Sequence, residues 1–288
     1  MKQILNFFIH LRLHYQFFIL SGGYLIAALF VDSVKWDQFG LQFLNVHVLL
    51  FGGATAYNSW WDKDEGPIGG LISPPKMKSW MWPASMIMQY AGLAWAMTVG
   101  WNYAIIYAVS MLFFWLYSTP LARWKGKPIL SIVAIGVSTG TNSFFLGYLA
   151  AGGYPITFSE DLIAIGVAAI ILSLYPVSQI YQTEEDENRG DRTFAVRYGI
   201  QGVKYFFSLM FLAGASMLSA MLYIQNEQLG LIFGGVTLSA YAVLSTFVWK
   251  LEGNQDEYDT VMKMKFFASL SFVAFIGGTL VLQILFQN

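Results

Sequence analysis

Asn58 and Asp62 stand four residues apart in NSWWDKDEGPIGG, at the end of a long apolar run, with Asp64 and Glu65 close behind. On a helix that spacing puts the amide and the carboxylate on one face. Oxygen donors without His or Cys suit Mg2+, which takes one or two carboxylates and fills its shell with water and phosphate oxygens. Gln182 and Asp186 repeat the amide-to-aspartate spacing in QTEEDENRGDRTFAVRYG. There Glu184, Glu185, Glu187 and Asp191 add negative charge, and Arg189, Arg192 and Arg197 are interleaved. A third segment, YSTPLARWKGKP, brings Tyr117, then Arg123, Lys125 and Lys127. Carboxylates to hold cations and bases to hold the remaining oxygens describe a metal–diphosphate site. Each segment also has a plainer reading. They are a solvated loop, a charged helix laced by i,i+4 pairs, and the basic flank expected on the inner side of a membrane.

The elements that position these residues are legible from charge. The 288 residues are 56% hydrophobic and only 11% charged, against about 25% charged in soluble domains. The chain is therefore read as an integral membrane protein. A net charge of −1 gives no electrostatic case for nucleic acid. The absence of Cys excludes disulfides, thiolate metal sites and cysteine nucleophiles. The N-terminal stretch has no small-residue cleavage site after a short apolar core and reads as a retained lead-in.

Uncharged gaps of about 20 residues or more punctuate the sequence, each long enough to cross the hydrocarbon core as a helix. The gap from Lys78 to Arg123 holds 44 residues, enough for two crossings with a turn at VGWNY. The reading is an all-α bundle of nine transmembrane helices, roughly 13–31, 41–61, 79–99, 103–122, 128–150, 162–181, 205–225, 229–249 and 266–286. With the N-terminus cytoplasmic, fifteen of the sixteen Lys and Arg residues lie inside and only Lys35 outside, which fixes the orientation. Both carboxylate clusters then sit on the cytoplasmic face, in the longest loops, capping a central cavity. No separate soluble domain is visible, so residues 1–288 form one domain in the cell (inner) membrane.

These residues resemble a known family. Asn58-x-x-x-Asp62 resembles the first aspartate-rich motif of the UbiA-type intramembrane prenyltransferases. Asp186-x-x-x-Gly190-x-Arg192-Thr193-Phe194-Ala195-Val196-Arg197-x-Gly199 closely resembles the end of their second. Tyr117-Ser118-x-Pro120 followed by Arg123 and Lys125 resembles their basic segment after the fourth helix. The resemblance spans the whole chain. It implies nine helices, Mg2+ bridging the motifs to an isoprenyl diphosphate, and transfer of the prenyl group to a lipophilic, usually aromatic, acceptor. It also implies Asn58, Asp62, Asp64, Gln182 and Asp186 around the metal, Asp62 and Asp186 as the catalytic carboxylates, and Tyr117, Arg123, Lys125 and Arg192 on the diphosphate. The chain departs from the family pattern at Ser59, Gly66 and Gln182, where Asp is usual. Asp64, Glu65, Glu184 and Glu185 stand nearby as substitutes. The segment GPIGGLISPP reads as a shaped lid.

Candidate aromatic shields for an allylic cation are Trp60, Trp61, Phe144, Phe145 and Tyr148, although each is more simply a packing residue. Asn142 reads as an interhelical hydrogen-bonding group, and His47 as a structural histidine of the outer half. The alternatives are a terpene cyclase on the same fold and a lipid-binding protein without catalysis. A transporter is disfavoured, because the helix interiors hold no Asp, Glu, Lys or Arg.

Overall fold

The computed structural model describes residues 2–63 and 68–286, so Asp64, Glu65 and Gly66 lie outside the described residues. Apart from one bridge between Ile68 and Leu71, the described chain is helical. Helix α1 (Lys2–Leu20) meets α2 (Gly22–Phe30) at a 48° bend. Then come α3 (Trp36–Asp62), α4 (Met81–Ala96), α5 (Trp101–Ser118), α6 (Pro128–Ala151), α7 (Phe158–Asn188), α8 (Phe194–Gln225), α9 (Glu227–Val248) and α10 (Gln255–Leu285). Six of these are long and apolar enough to cross a membrane, or seven if the bent pair counts as one span. The expected spans at 79–99 and 103–122 are helical but fall short. With 16 residues, α4 reaches only about 24 Å, and α5 opens on Trp101, Asn102 and Tyr103.

Backbone specials shape the end of the bundle that carries the motifs. Arg12 adopts φ 47°, ψ 48° and interrupts α1. Wider π turns occupy Gln16–Leu20, Asn45–Gly52 and Gly136–Thr141, a geometry that often marks functional stretches of a helix. Tight 3-10 winding at Pro176–Gln182 precedes the second acidic cluster. Gly199, with φ 66° inside α8, lets the chain turn from the motif into the long span, a conformation open to glycine without steric cost.

Close helix approach rests on small residues. A Cβ on Gly140 of α6 would lie 2.7 Å from Ala168 of α7, and one on Gly214 of α8 would lie 2.7 Å from the carbonyl of Gly166. The main core gathers around Tyr24, Tyr103, Tyr107 and Phe144. Several polar groups inside it are paired, as transmembrane packing favours. Asn45 donates to Gln42 and to the Gly92 carbonyl, and accepts from Tyr107. Asn142 donates to Ser110 and links α6 to α5, as its sequence position suggests. His47 donates through Nδ1 to the Phe43 carbonyl and packs tilted against the Phe43 ring, with centroids 4.1 Å apart. Its Nε2 has no hydrogen-bond partner.

Candidate active site

A cavity of about 630 Å3 runs through the bundle. One end is polar, lined by Asn58 and Asp62 from the end of α3, Tyr117 and Ser118 from the end of α5, Lys125, and Gln179, Gln182 and Asp186 from the end of α7. The rest of the wall is mainly apolar, with Phe51, Phe114, Ile170, Phe211, Phe233 and Phe272 among its residues, while Arg12 and Gln16 from α1 and Lys265 from α10 add polar groups. It reaches the membrane-facing surface between α9 and α10, where the lining residues Val243 and Phe267 are exposed. Ile68 and Gly69 of the lid segment close part of the polar end. The lid is held by His10, whose Nε2 lies 2.7 Å from the Pro75 carbonyl oxygen.

Helix ends deliver the polar groups, because each motif begins where an apolar span runs out. Asn58 donates to Ser118 Oγ at 3.0 Å, and Tyr57 bonds Thr119 at 2.8 Å, so α3 and α5 finish in register. That bond uses the Asn58 amide nitrogen and leaves Oδ1 as its oxygen donor. Lys125 Nζ lies 2.5 Å from Asp62 Oδ1, with both side chains largely buried. Thr193, the N-cap of α8, has its side chain hydrogen-bonded to Asp186. Tyr117 and Tyr175 place their hydroxyls 3.1 Å apart in the cavity wall.

Six of the expected site residues therefore share one cavity end: Asn58, Asp62, Tyr117, Lys125, Gln182 and Asp186. Arg123 and Arg192 are placed otherwise. Arg123 spans both oxygens of buried Asp191 at 2.6 Å, and that carboxylate pushes its pKa above the ordinary guanidinium value. Arg192 is exposed, and its backbone N–H donates to the Gly126 carbonyl at 3.0 Å. Neither side chain lines the cavity. Of the substitutes considered for the missing carboxylates, Glu185 lines the cavity and pairs with Arg189. Glu184 instead accepts from Gln255 at 2.7 Å, which ties the second motif to the start of α10. The aromatics singled out in the sequence, Trp60, Trp61, Phe144, Phe145 and Tyr148, are absent from the cavity lining. Phe144 and Tyr148 stack on each other in the main core instead.

Sequence reasoning missed Tyr175, Gln179 and Lys265. Tyr175 and Gln179 lie about two turns and one turn before Gln182, and that periodicity was the available signal. Lys265 looked like a flanking charge of the last span.

The donor set can be tested against Mg2+. Among the described residues no group of three or more His, Asp or Glu side chains forms a metal cage. Two carboxylates, Asp62 and Asp186, are joined by the amide side chains of Asn58 and Gln182. All are hard oxygen donors at one end of the cavity. This fits a cation that keeps water and phosphate oxygens in its shell, which is how Mg2+ is usually held. The Lys125 ammonium and a metal would compete for the same oxygen of Asp62.

Comparison with known proteins bears on the fold and the family. No curated protein matches the sequence. A UbiA homolog from Archaeoglobus fulgidus superposes with a TM-score of 0.68 at 14% identity, covering 96% of this chain and 98% of that one. The same homolog bound to GPP and Mg2+ gives 0.67 at 13%, covering 93% and 99%. A digeranylgeranylglyceryl phosphate synthase gives 0.64 at 20%, covering 96% and 99%. At these identities the likeness shows a shared fold. The family model for UbiA prenyltransferases matches residues 17–275, and with the motifs gathered at one cavity end, this multi-pass membrane protein belongs to the UbiA prenyltransferase family.

Proposed function

We propose that this chain transfers an isoprenyl group from a prenyl diphosphate to a small lipophilic or aromatic acceptor, with Mg2+ bound by Asn58, Asp62, Gln182 and Asp186. The carrying observation is the meeting of Asp62 and Asp186 at one end of a largely apolar cavity. The Archaeoglobus relative bound to GPP and Mg2+ supports the choice of donor and metal.

Bound metal would neutralise the departing diphosphate. Lys125 and the Tyr117 hydroxyl offer further donors to its oxygens, with Tyr175 setting the orientation of Tyr117. The donor's C–O bond breaks with its electron pair going to diphosphate, and the allylic carbon bonds to the acceptor, which gives up a proton. Phe51, Phe114, Phe211 and Phe233 keep water from the cation and offer it aromatic faces. The cavity belongs on the cytoplasmic face of the cell (inner) membrane with the N-terminus inside, a reading supported by the fifteen-to-one split of Lys and Arg.

The test is inorganic diphosphate release from geranyl diphosphate and Mg2+ by the solubilised full chain, together with mass spectrometry of the organic product. Asp186→Ala should abolish release while the protein stays folded. Near-normal release by that variant would overturn the assignment, and a cyclised hydrocarbon product would make the protein a cyclase.

A further inference from the structure

Before the break at Arg12, the Lys2–His10 segment of α1 carries two unlike faces. Phe7 and His10 are buried, and Phe7 packs with Leu11, Ala56 and Met81 in a small core of its own. Ile4, Leu5 and Phe8 are 56%, 61% and 54% exposed. At helical periodicity these three share one side, opposite the buried pair.

The inward side seats the lid. Gln3 Oε1 accepts from the Trp80 indole at 3.3 Å, and the Phe7 and Trp80 rings lie 5.4 Å apart. His10 Nε2 meets the Pro75 carbonyl oxygen at 2.7 Å. A Cβ on Gly69 would lie 2.5 Å from the Arg12 guanidinium, and one on Gly70 would lie 2.5 Å from the His14 ring. The lid thus runs back along the N-terminal segment, from Arg12 and His14 to Gln3, and the helix sets where the lid rests.

The outward side has no protein to cover it. The path from Leu13 to Phe30 measures about 27 Å at 1.5 Å per residue, which nearly fills a hydrocarbon core of about 30 Å. Residues before Arg12 are left at headgroup level. Residues 11 and 12 alone join the apolar face to the part of α1 that enters the membrane. Trp80, Lys2, Lys76 and Lys78 are exposed on this helix and on the lid segment that it holds. An apolar helix face flanked by Trp and Lys is the composition of an interfacial anchor.

We propose that the Lys2–His10 helix docks on the lipid leaflet that α1 enters, with Ile4, Leu5 and Phe8 inserted among the headgroups, and that this docking holds the lid over the cavity. The leaflet surface is then a binding partner of the lid, reached through a helix that contributes nothing to the metal or diphosphate groups.

The experiment places an environment-sensitive fluorophore on Leu5→Cys or Phe8→Cys, in a chain with no native Cys. Glu187→Cys, exposed at the end of α7, is the control. The labelled full chain is put into nanodiscs of phosphatidylcholine and phosphatidylglycerol that carry a doxyl quencher either near the headgroup or at the bilayer centre. The shallow quencher should dim the labels at 5 and 8 about twofold or more beyond the control, and beyond the deep quencher. Quenching no greater than at 187 would overturn the docking, because water or a protein surface would then cover the face. Stronger quenching from the bilayer centre would also overturn it, by making the segment part of the span. A second arm joins Leu5→Asp with Phe8→Asp, two exposed positions, and confirms the fold by an unchanged unfolding temperature in detergent. Trypsin cleavage after Lys76 and Lys78 in nanodiscs should then rise about fivefold or more. Unchanged cleavage would show that the docked helix does not hold the lid.

Discussion

Arg123 grips both carboxylate oxygens of Asp191 at 2.6 Å, and this pair bolts the loop after α5 to the loop after α7. The neighbouring backbone bond from Arg192 to Gly126 runs between the same loops, and a Cβ at Gly126 would collide with Asp191. Lys125 is carried by one loop and Asp186 lies just before the other, so the clamp sets the width of the cavity's polar end. Removing Arg123 strands a buried carboxylate, a change that costs about 3 kcal/mol. Arg123→Ala should lower the unfolding temperature, and Arg123→Met with Asp191→Leu should regain most of the loss. Thermal unfolding in detergent checks this. A raised KM for donor with normal stability would instead put Arg123 on the diphosphate.

Lys125 shields Asp62 from other cations. Lys125→Gln should therefore tighten binding of Mg2+ alone while weakening prenyl diphosphate, with KM rising about tenfold for the loss of one charge-assisted bond. Titration of Mg2+ with and without geranyl thiodiphosphate measures both effects. Weaker Mg2+ binding in the variant would show that the pair does not oppose the metal.

Gln182 contributes a neutral amide where relatives place a carboxylate. Fewer charges at a hard-cation site lower affinity for the free ion. Gln182→Asp should reduce the Mg2+ concentration for half-maximal activity at saturating donor. An unchanged or higher requirement in a folded variant would remove Gln182 from the metal shell and leave Glu185, which also lines the cavity, as the replacement.

Orientation can be read by labelling, because the chain has no native Cys. Asp37→Cys and Phe158→Cys should react with an impermeant reagent in intact cells. Ser73→Cys and Asn188→Cys should react only after permeabilisation. Labelling of either of the latter pair in intact cells reverses the assigned sidedness.

The helices were legible because charge interrupts them so sparingly, and the motif spacing survived because Asn58 and Asp62 share one helical face. Gly190 and Gly199 were legible as motif letters, and the structure supplies their reason in positive φ values of 77° and 66°. What the sequence hid was direction. Arg123 and Lys125 are two residues apart in one basic run, yet only Lys125 enters the cavity. The backbone at Arg123 is left-handed, with φ 41°, and its side chain goes to Asp191. Arg189 and Arg192 differ in the same way. Lys265 looked like a positive-inside marker because an ammonium's partners come from helices distant in sequence, here Tyr15, 250 positions away. The aromatics weighed as shields pack away from the cavity, as their plainer reading held, since abundance in a helix says nothing about which face meets the cavity.

The gap between α9 and α10 makes the surrounding lipid a working part of the protein. Only 11% of the apolar window of α10 is buried, so on the proposed reading acyl chains would pack directly against the wall through which a prenylated product would leave. Departure then requires those chains to yield, and its rate becomes a property of bilayer viscosity. Reconstitution into saturated, cholesterol-stiffened vesicles should lower kcat relative to fluid unsaturated ones while donor affinity stays constant, because the diphosphate end faces water and the exit faces oil.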